Sequence, residues 1–161
     1  MSTQLAAGAA ARLALSAPPD PNRVGHVWLA TLAEVPLFDG LSRRHLRQIA
    51  KLARIRRFAP SSAIVRAGDA GRSFYVLLDG SARVVGETGR SSRLGAGDYF
   101  GEMALLDGAP RSASVVAEGE VLALTIDRSG FAKLLRSEPR LAEALLRTLA
   151  ARLRAAERSD A

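Results

Sequence analysis

Glu102 and Arg111 stand nine positions apart in Gly97-Asp98-Tyr99-Phe100-Gly101-Glu102-Met103-Ala104-Leu105-Leu106-Asp107-Gly108-Ala109-Pro110-Arg111-Ser112-Ala113-Ser114-Val115. This segment carries the most chemistry in the chain. Phe100 ends an apolar run of strand type, Gly101 lets the backbone turn tightly, and Glu102–Leu106 can form one helical turn. A short helix start presents unpaired N–H groups and a positive dipole end, which suits an anion such as phosphate. The loop is long enough for Arg111, at the start of the next strand, to fold back to the same anion. Its guanidinium is a planar fork matched to two phosphate oxygens. Taken alone, the pair also reads as a structural ion pair on a bare β surface. Phe100-Gly101 before it and Ser112-Ala113 after it favour the site.

The elements that must position these residues follow from periodicity. Short apolar runs at Ala63–Val65, Phe74–Leu78, Ala82–Val85 and Val121–Ile126 are separated by turns at Gly68–Gly71, Asp79-Gly80, Gly86–Gly89 and Gly95–Asp98. Several short strands with closely spaced turns predict an all-β roll, jelly roll or barrel. On both flanks the period is helical. Val27, Leu29, Ala30, Leu32 and Ala33 share a face of a segment from Val24 to Phe38, closed by Pro36. Ser42 suits the N-cap of a helix over Arg43–Ala53, with Leu46, Ile49, Ala50 and Ala53 on one face. Asp127 or Ser129 can cap Gly130–Arg136, and Pro139 opens a last helix to about Arg158. There Leu141, Leu145, Leu149 and Leu153 make an i, i+4 ridge flanked by Leu146 and Ala150, suited either to packing on the roll or to a dimer seam. Residues 1–23, Ala-rich and ending in Ala17–Asn22, read as a flexible arm with room for a transient helix over Thr3–Leu15.

Composition sets the outer limits. A chain of 161 residues holds one domain with a real core. The absence of cysteine excludes disulfides, thiolate metal sites and cysteine nucleophiles. Lys and Arg outnumber Asp and Glu by 23 to 16, a net charge of +7, and all the basic residues except Lys51 and Lys133 are arginine. Such a surface suits nucleic acid, an anionic membrane or an anionic ligand, but arginines spread along the whole chain weaken the nucleic-acid reading. No stretch approaches the roughly 20 apolar residues of a membrane span. The N-terminus lacks a basic start and Arg12 interrupts its apolar stretch, so the chain reads as cytoplasmic. A metal-dependent cupin enzyme would need clustered histidines in the roll. His26 and His45 are the only two and lie in the helical preamble, and no Ser/His/Asp set can be assembled. No catalytic site, metal site or cofactor is expected.

The run Phe100-Gly101-Glu102, Leu105-Leu106 and Pro110-Arg111-Ser112-Ala113-Ser114-Val115 closely resembles the phosphate-binding cassette of the cyclic-nucleotide-binding domain family. The resemblance extends from Leu37-Phe38 to Arg158, and Ala67-Gly68-Asp69, Phe74-Tyr75-Val76-Leu77 and Gly80 look like the family's signature hairpin. The chain looks nearest to the domains of cyclic-nucleotide-gated and hyperpolarisation-activated channels, prokaryotic potassium channels included. The resemblance implies a mainly β, α+β fold: an eight-stranded antiparallel, jelly-roll-like β-roll with a short phosphate-binding helix. Helices at 24–53 precede the roll at 54–126, and a C-terminal helical lid at 127–158 follows it.

It also implies roles, residue by residue. Arg111 pairs with the cyclic phosphate, and Glu102 accepts from the ribose 2′-hydroxyl beside the Gly101 backbone. Backbone N–H groups of Ala104 and Ala113 and the Ser112 hydroxyl complete the cradle, with Met103 in the same turn. Val84 and Leu94 fall where the family packs the purine, as core residues that double as pocket wall. Arg152 falls where channel-type members cap the purine, flanked by Leu149 and Leu153; Arg154 competes for that place, because helix register decides it. The ligand is cAMP or cGMP, with a lean to cAMP.

The function this implies is a regulatory sensor whose C-terminal helix moves on binding and signals to a partner or effector outside the chain. Met1 and the end of the chain soon after the last helix favour a stand-alone protein, with a detached channel or transporter domain as the other option. The competing reading is an arginine-rich interaction module with a non-functional nucleotide pocket, binding acidic proteins, membrane or nucleic acid.

Overall fold

Two long strands organise the molecule, and the alternation of their side chains divides its core in two. In the computed structural model, residues 29, 32–86, 89 and 91–160 are described. The expected arm over 1–23, the start of the first helix at 24–28 and His26 lie outside the described residues. The strands are β1 (Ala53–Phe58), β2 (Ala63–Val65), β3 (Ser73–Gly86), β4 (Ser91–Leu94), β5 (Tyr99–Phe100) and β6 (Ala113–Asp127). A 3-10 turn at Pro36–Phe38 leads into α1 (Arg43–Leu52). α2 (Glu102–Asp107) lies between β5 and β6, and α3 (Arg128–Ser137) and α4 (Pro139–Ser159) close the chain.

All strand pairs are antiparallel. β3 and β6 run side by side from Ser73↔Asp127 to Gly86↔Ala113, with register shifts on either side of Asp79. Asp79-Gly80, expected as a turn, therefore bends the strand without reversing it. Gly80 has φ +87°, and a Cβ there would overlap the Glu120 carbonyl; Gly119 on β6 is also left-handed, at φ +82°. The bend splits both strands. One half joins β1 and β5 to residues 121–127 and 73–77, and the other joins β2 and β4 to residues 113–118 and 81–86. Six continuous strands thus supply the eight segments of the expected roll.

Period-2 alternation assigns each residue to a layer. Tyr75, Leu77, Val121 and Ala123 point into the roll, where they cluster with Ala82, Val115 and Ala117 of the other half. Phe74, Val76, Leu78, Leu122, Leu124 and Ile126 point out, against Leu46 and Ile49 of α1, Phe131 and Leu134 of α3, and Leu141 and Leu145 of α4. Phe74 stacks on Phe131 with ring centroids 5.0 Å apart.

The caps match the chemistry of their residues. The Ser42 hydroxyl accepts from His45 N–H at 3.3 Å. Of the two candidates for α3, Asp127 is the cap: its Oδ1 accepts from Gly130 N–H at 2.7 Å and from the Ser129 hydroxyl at 3.1 Å. Those bonds hold the Asp127 carboxyl below its usual range. Buried Glu138, at the α3–α4 joint, meets His45 Nδ1 at 3.0 Å, and Arg140 donates to the Gly40 carbonyl at 3.1 Å. The joint is thereby fastened to the start of the domain. Along α4 the leucine ridge divides: Leu141 and Leu145 are buried, Leu149 is half-buried, and Leu153 is 62% exposed.

Phe74 is 1% exposed between two aromatic partners. Phe74→Ala is expected to lower unfolding free energy by about 3–5 kcal/mol, read by urea denaturation; a loss below about 1 kcal/mol would contradict this packing.

Candidate functional site

The short helix α2 exists because glycines clear space around it. Gly101, its N-cap, has φ +95°. A Cβ there would come within 2.7 Å of Arg111 Nη1 and 2.9 Å of the Ser73 carbonyl. Across the loop, a Cβ on Gly71 would overlap that of Ala104. No side chain caps the first turn of α2, whose N–H groups face no intrahelical partner.

Arg111 is held from both ends. Its backbone N–H donates to the Asp69 carbonyl at 2.8 Å and its carbonyl accepts from Gly68 N–H at 2.9 Å. One residue pair further on, Ser114 Oγ accepts from Ala67 N–H at 2.9 Å. The Ala67-Gly68-Asp69 turn therefore clamps the arginine's main chain. Its side chain is 7% exposed. Nη1 donates to the Gly101 carbonyl at 3.0 Å, Nη2 donates to the Ser73 carbonyl at 2.7 Å, and the guanidinium carbon lies 5.9 Å from the Tyr75 ring centroid. Burial lowers the pKa of this guanidinium from its ordinary value; Tyr75 and Glu102 act in the opposite sense, and Arg128 adds to the lowering. Arginine remains a cation under ordinary conditions. Two backbone carbonyls thus orient a desolvated positive charge that still has free donors.

Glu102 is 2% exposed. Its Oε1 pairs with Arg152 Nη1, from α4, at 3.0 Å. Arg152 also lies 5.8 Å from the Tyr99 ring centroid, and Tyr99 in turn meets Phe74 at 5.6 Å. A contact path runs from α4 through β5 into the outer core.

These groups line one cavity of about 510 Å³, within the usual range for a small-molecule site. Gly101, Glu102, Met103, Ala104, Arg111 and Ser112 line it, as do Ala113, Val84, Leu94 and Arg152. Two of the sequence-predicted residues, Leu149 and Leu153, do not: Leu149 is half-buried away from the cavity lining and Leu153 is exposed, although Arg152 between them reaches it. Arg152 lines the cavity and Arg154 does not; Arg152 pairs there with Glu102. The sequence did not single out eight further lining residues: Val65, Ser92, Tyr99 and Val115 on the strands, and Phe100, Asp107, Ala109 and Pro110 within the cassette segment. Strand register explains two of them: Val84 pairs with Ser92 on β4 and with Val115 on β6, and paired residues share a face. The cavity has an arginine and an uncapped helical turn at one end and an aliphatic wall at the other. It can hold a small amphipathic anion.

The family model for the cyclic nucleotide-binding domain matches residues 55–138, just over half the chain. The chain belongs to that family. It is 39% identical over 106 residues to a cAMP-dependent protein kinase regulatory subunit of Colletotrichum orbiculare, covering 65% of this chain and 27% of the relative. It is 37% identical over 117 residues to a cyclic nucleotide-gated potassium channel of Mesorhizobium japonicum, covering 73% and 32%. Its fold superposes on the regulatory domain of Toxoplasma gondii PKA, solved with cAMP, at a TM-score of 0.71 and 28% identity, covering 81% of this chain and 51% of that one. The chain therefore spans about a third or less of the length of these curated relatives. Kinase regulators and channels match at similar identity, so the likeness does not single out the channel branch.

Replacing Gly101 by alanine puts a side chain at a left-handed φ and against Arg111. Gly101→Ala is expected to cost about 1–3 kcal/mol of stability, measured by chemical denaturation. An unchanged midpoint would mean that the arginine is not packed against this turn.

Proposed function

We propose that this chain is a regulatory module that binds a purine cyclic monophosphate, cAMP in preference to cGMP, in the cavity between α2 and the inner ends of β3, β4 and β6. The observation that carries this reading is the pair of nearly buried charges, Arg111 and Glu102, in a single cavity of suitable size. Enclosing a phosphate anion without a charged partner costs several kcal/mol. Arg111 offers that partner already desolvated and oriented. Glu102 supplies an acceptor for the ribose 2′-hydroxyl, and the first turn of α2, the Ala113 N–H and the Ser112 hydroxyl complete the phosphate end. The aliphatic wall formed by Val65, Val84, Leu94 and Val115 receives the purine. The relatives named above, one of them solved with cAMP, support this reading.

No step of catalysis is assigned to any residue. Among the described residues no cluster of three or more His, Cys, Asp or Glu could hold a metal, and no helix is long and apolar enough to cross a membrane.

Regulation follows from the Arg152–Glu102 pair. A ribose hydroxyl arriving at Glu102 meets a carboxylate that already tethers α4, so ligand and helix share one acceptor. Ligand shifts the position of α4 to the extent that its contacts differ between the two placements of the helix. Leu149 and Leu153 join the site only if α4 moves inward. Whatever receives the signal lies on a partner or effector.

Isothermal titration tests the reading. Arg111→Gln is expected to weaken cAMP binding about 30- to several-thousand-fold, equivalent to about 2–5 kcal/mol. Adenosine, which lacks the anion, and 2′-deoxy-cAMP, which lacks the hydroxyl, should each bind at least about tenfold more weakly than cAMP. Near wild-type affinity in Arg111→Gln would remove that residue from the site, and no binding of cAMP or cGMP would end the proposal.

Coupling has its own readout. Saturating cAMP should change amide hydrogen exchange across residues 138–158, and Arg152→Ala should shrink that change while leaving cAMP bound. Identical exchange with and without ligand would show that α4 is not the reporter.

A further inference from the structure

Residues 43–57 contain seven arginines and lysines and no aspartate or glutamate. Arginines counted along the whole chain look evenly spread, but the fold concentrates this run on one side. Arg44, Arg47 and Lys51 are exposed at i, i+3 and i+7 of α1 and form one stripe. β1 starts directly after α1 and adds Arg54, and Lys133 comes across from α3. Lys51, Arg54 and Lys133 line a second cavity of about 240 Å³ with Asp127, Ser129 and Gly130. It shares no residue with the cavity at Arg111.

Among the described residues, the cations of this region outnumber the carboxylates that face them. Arg57 lies 3.8 Å from Glu120 and Arg56 covers the Phe58 ring. Arg44, Arg47, Lys51, Arg54 and Lys133 form no ion pair among the described residues. Asp127 is the single acidic residue of the second cavity, and its Oδ1 is already occupied as the cap of α3. Three cations face one carboxylate. Crowded like charges destabilise a folded chain unless an anion from outside joins them.

We infer that this face docks an acidic segment of a partner protein, laid along Arg44, Arg47 and Lys51 with a carboxylate entering the cleft between Lys51, Arg54 and Lys133. The stripe from Arg44 to Lys51 is about 10 Å long at the helical rise, the span of about three residues of extended chain. A membrane surface fits less well. Basic faces that bind bilayers pair with exposed apolar residues that insert, whereas the exposed large apolar residues among the described residues, Met103, Leu106, Leu146 and Leu153, belong to α2 and α4. Single-stranded nucleic acid calls for exposed aromatic stacking platforms; the ring beside this face, Phe58, is buried. This surface stands whether or not the first cavity takes a nucleotide.

The test uses the full chain and a fluorescent oligoglutamate peptide, titrated at low and at physiological salt. The variant Lys51→Gln/Arg54→Gln/Lys133→Gln is compared with Arg83→Gln/Arg147→Gln/Arg158→Gln, which removes equal charge elsewhere. Melting curves verify that both are folded. The expected result is peptide binding by the wild type and the control, about tenfold or more weaker in the cleft variant, with amide shifts confined to residues 44–54 and 127–133. Equal weakening in both variants would overturn the inference, since it would mean diffuse attraction to a basic protein. So would absence of peptide binding to the wild type, or binding of phosphatidylserine vesicles or oligothymidine at this face in place of the peptide.

Discussion

A cation placed beneath a protein surface must be solvated by the protein itself, and the arrangement around Arg111 follows from that requirement. Its guanidinium has lost most of its water and takes two backbone carbonyls in exchange, Gly101 and Ser73. One of these carbonyls belongs to the residue that opens α2 and the other to the first residue of β3. Meeting both requires the cassette to fold back on the sheet, and it favours glycine at position 101, where a Cβ at this left-handed φ would crowd the guanidinium and the Ser73 carbonyl. The Ala67–Asp69 turn completes the restraint by bonding the arginine's own main chain. A charge held in this way needs no rearrangement when an anion arrives, which is the physical basis of preorganised binding.

The second charge couples the site to the rest of the molecule. Glu102 is as deeply buried as core leucines, and its counterion comes from a helix 50 positions later in the chain. Through Arg152, Tyr99 and Phe74 the cavity is in contact with the outer core on which α3 and α4 rest. The first turns of α4 are anchored by Leu141 and Leu145, while its last turns are exposed. On the proposed reading, a helix fastened at one end and tethered by one ion pair nearer the other is the element that reports ligand.

The two faces of charge differ in kind. At the cavity Arg111 and Glu102 are buried and hydrogen-bonded or paired, which gives geometry and selectivity. On α1 and β1 the charges are exposed and mutually repulsive, which gives long-range attraction sensitive to salt. One chain thus presents a small-molecule site and, on the reading above, a macromolecular surface, built from separate elements.

Much of this architecture is legible in the linear chain because it is local. The helical spacing of α1, α3 and α4, the caps at Ser42 and Asp127, and the glycine before Glu102 depend on neighbours within a few positions. So does the alternation Phe74-Tyr75-Val76-Leu77-Leu78 that sorts inner from outer core. Ordered motifs across the cassette led to seven of the residues that line the cavity, and the wider family resemblance led to Val84, Leu94 and Arg152. Other features depend on contacts between distant parts of the chain. Asp79-Gly80 bends β3 without turning it because Gly80 fits against the Glu120 backbone on β6. Ser92 and Val115 reach the cavity because inter-strand register sets them beside Val84. Arg152 meets Glu102, and Leu149 and Leu153 stay outside, because the path of α4 over the roll is set by where Leu141 and Leu145 pack. Residue types and short-range spacing determine which groups are available and which element each belongs to; which of them meet depends on register, on strand bending and on helix placement, which exist only once distant segments share a core.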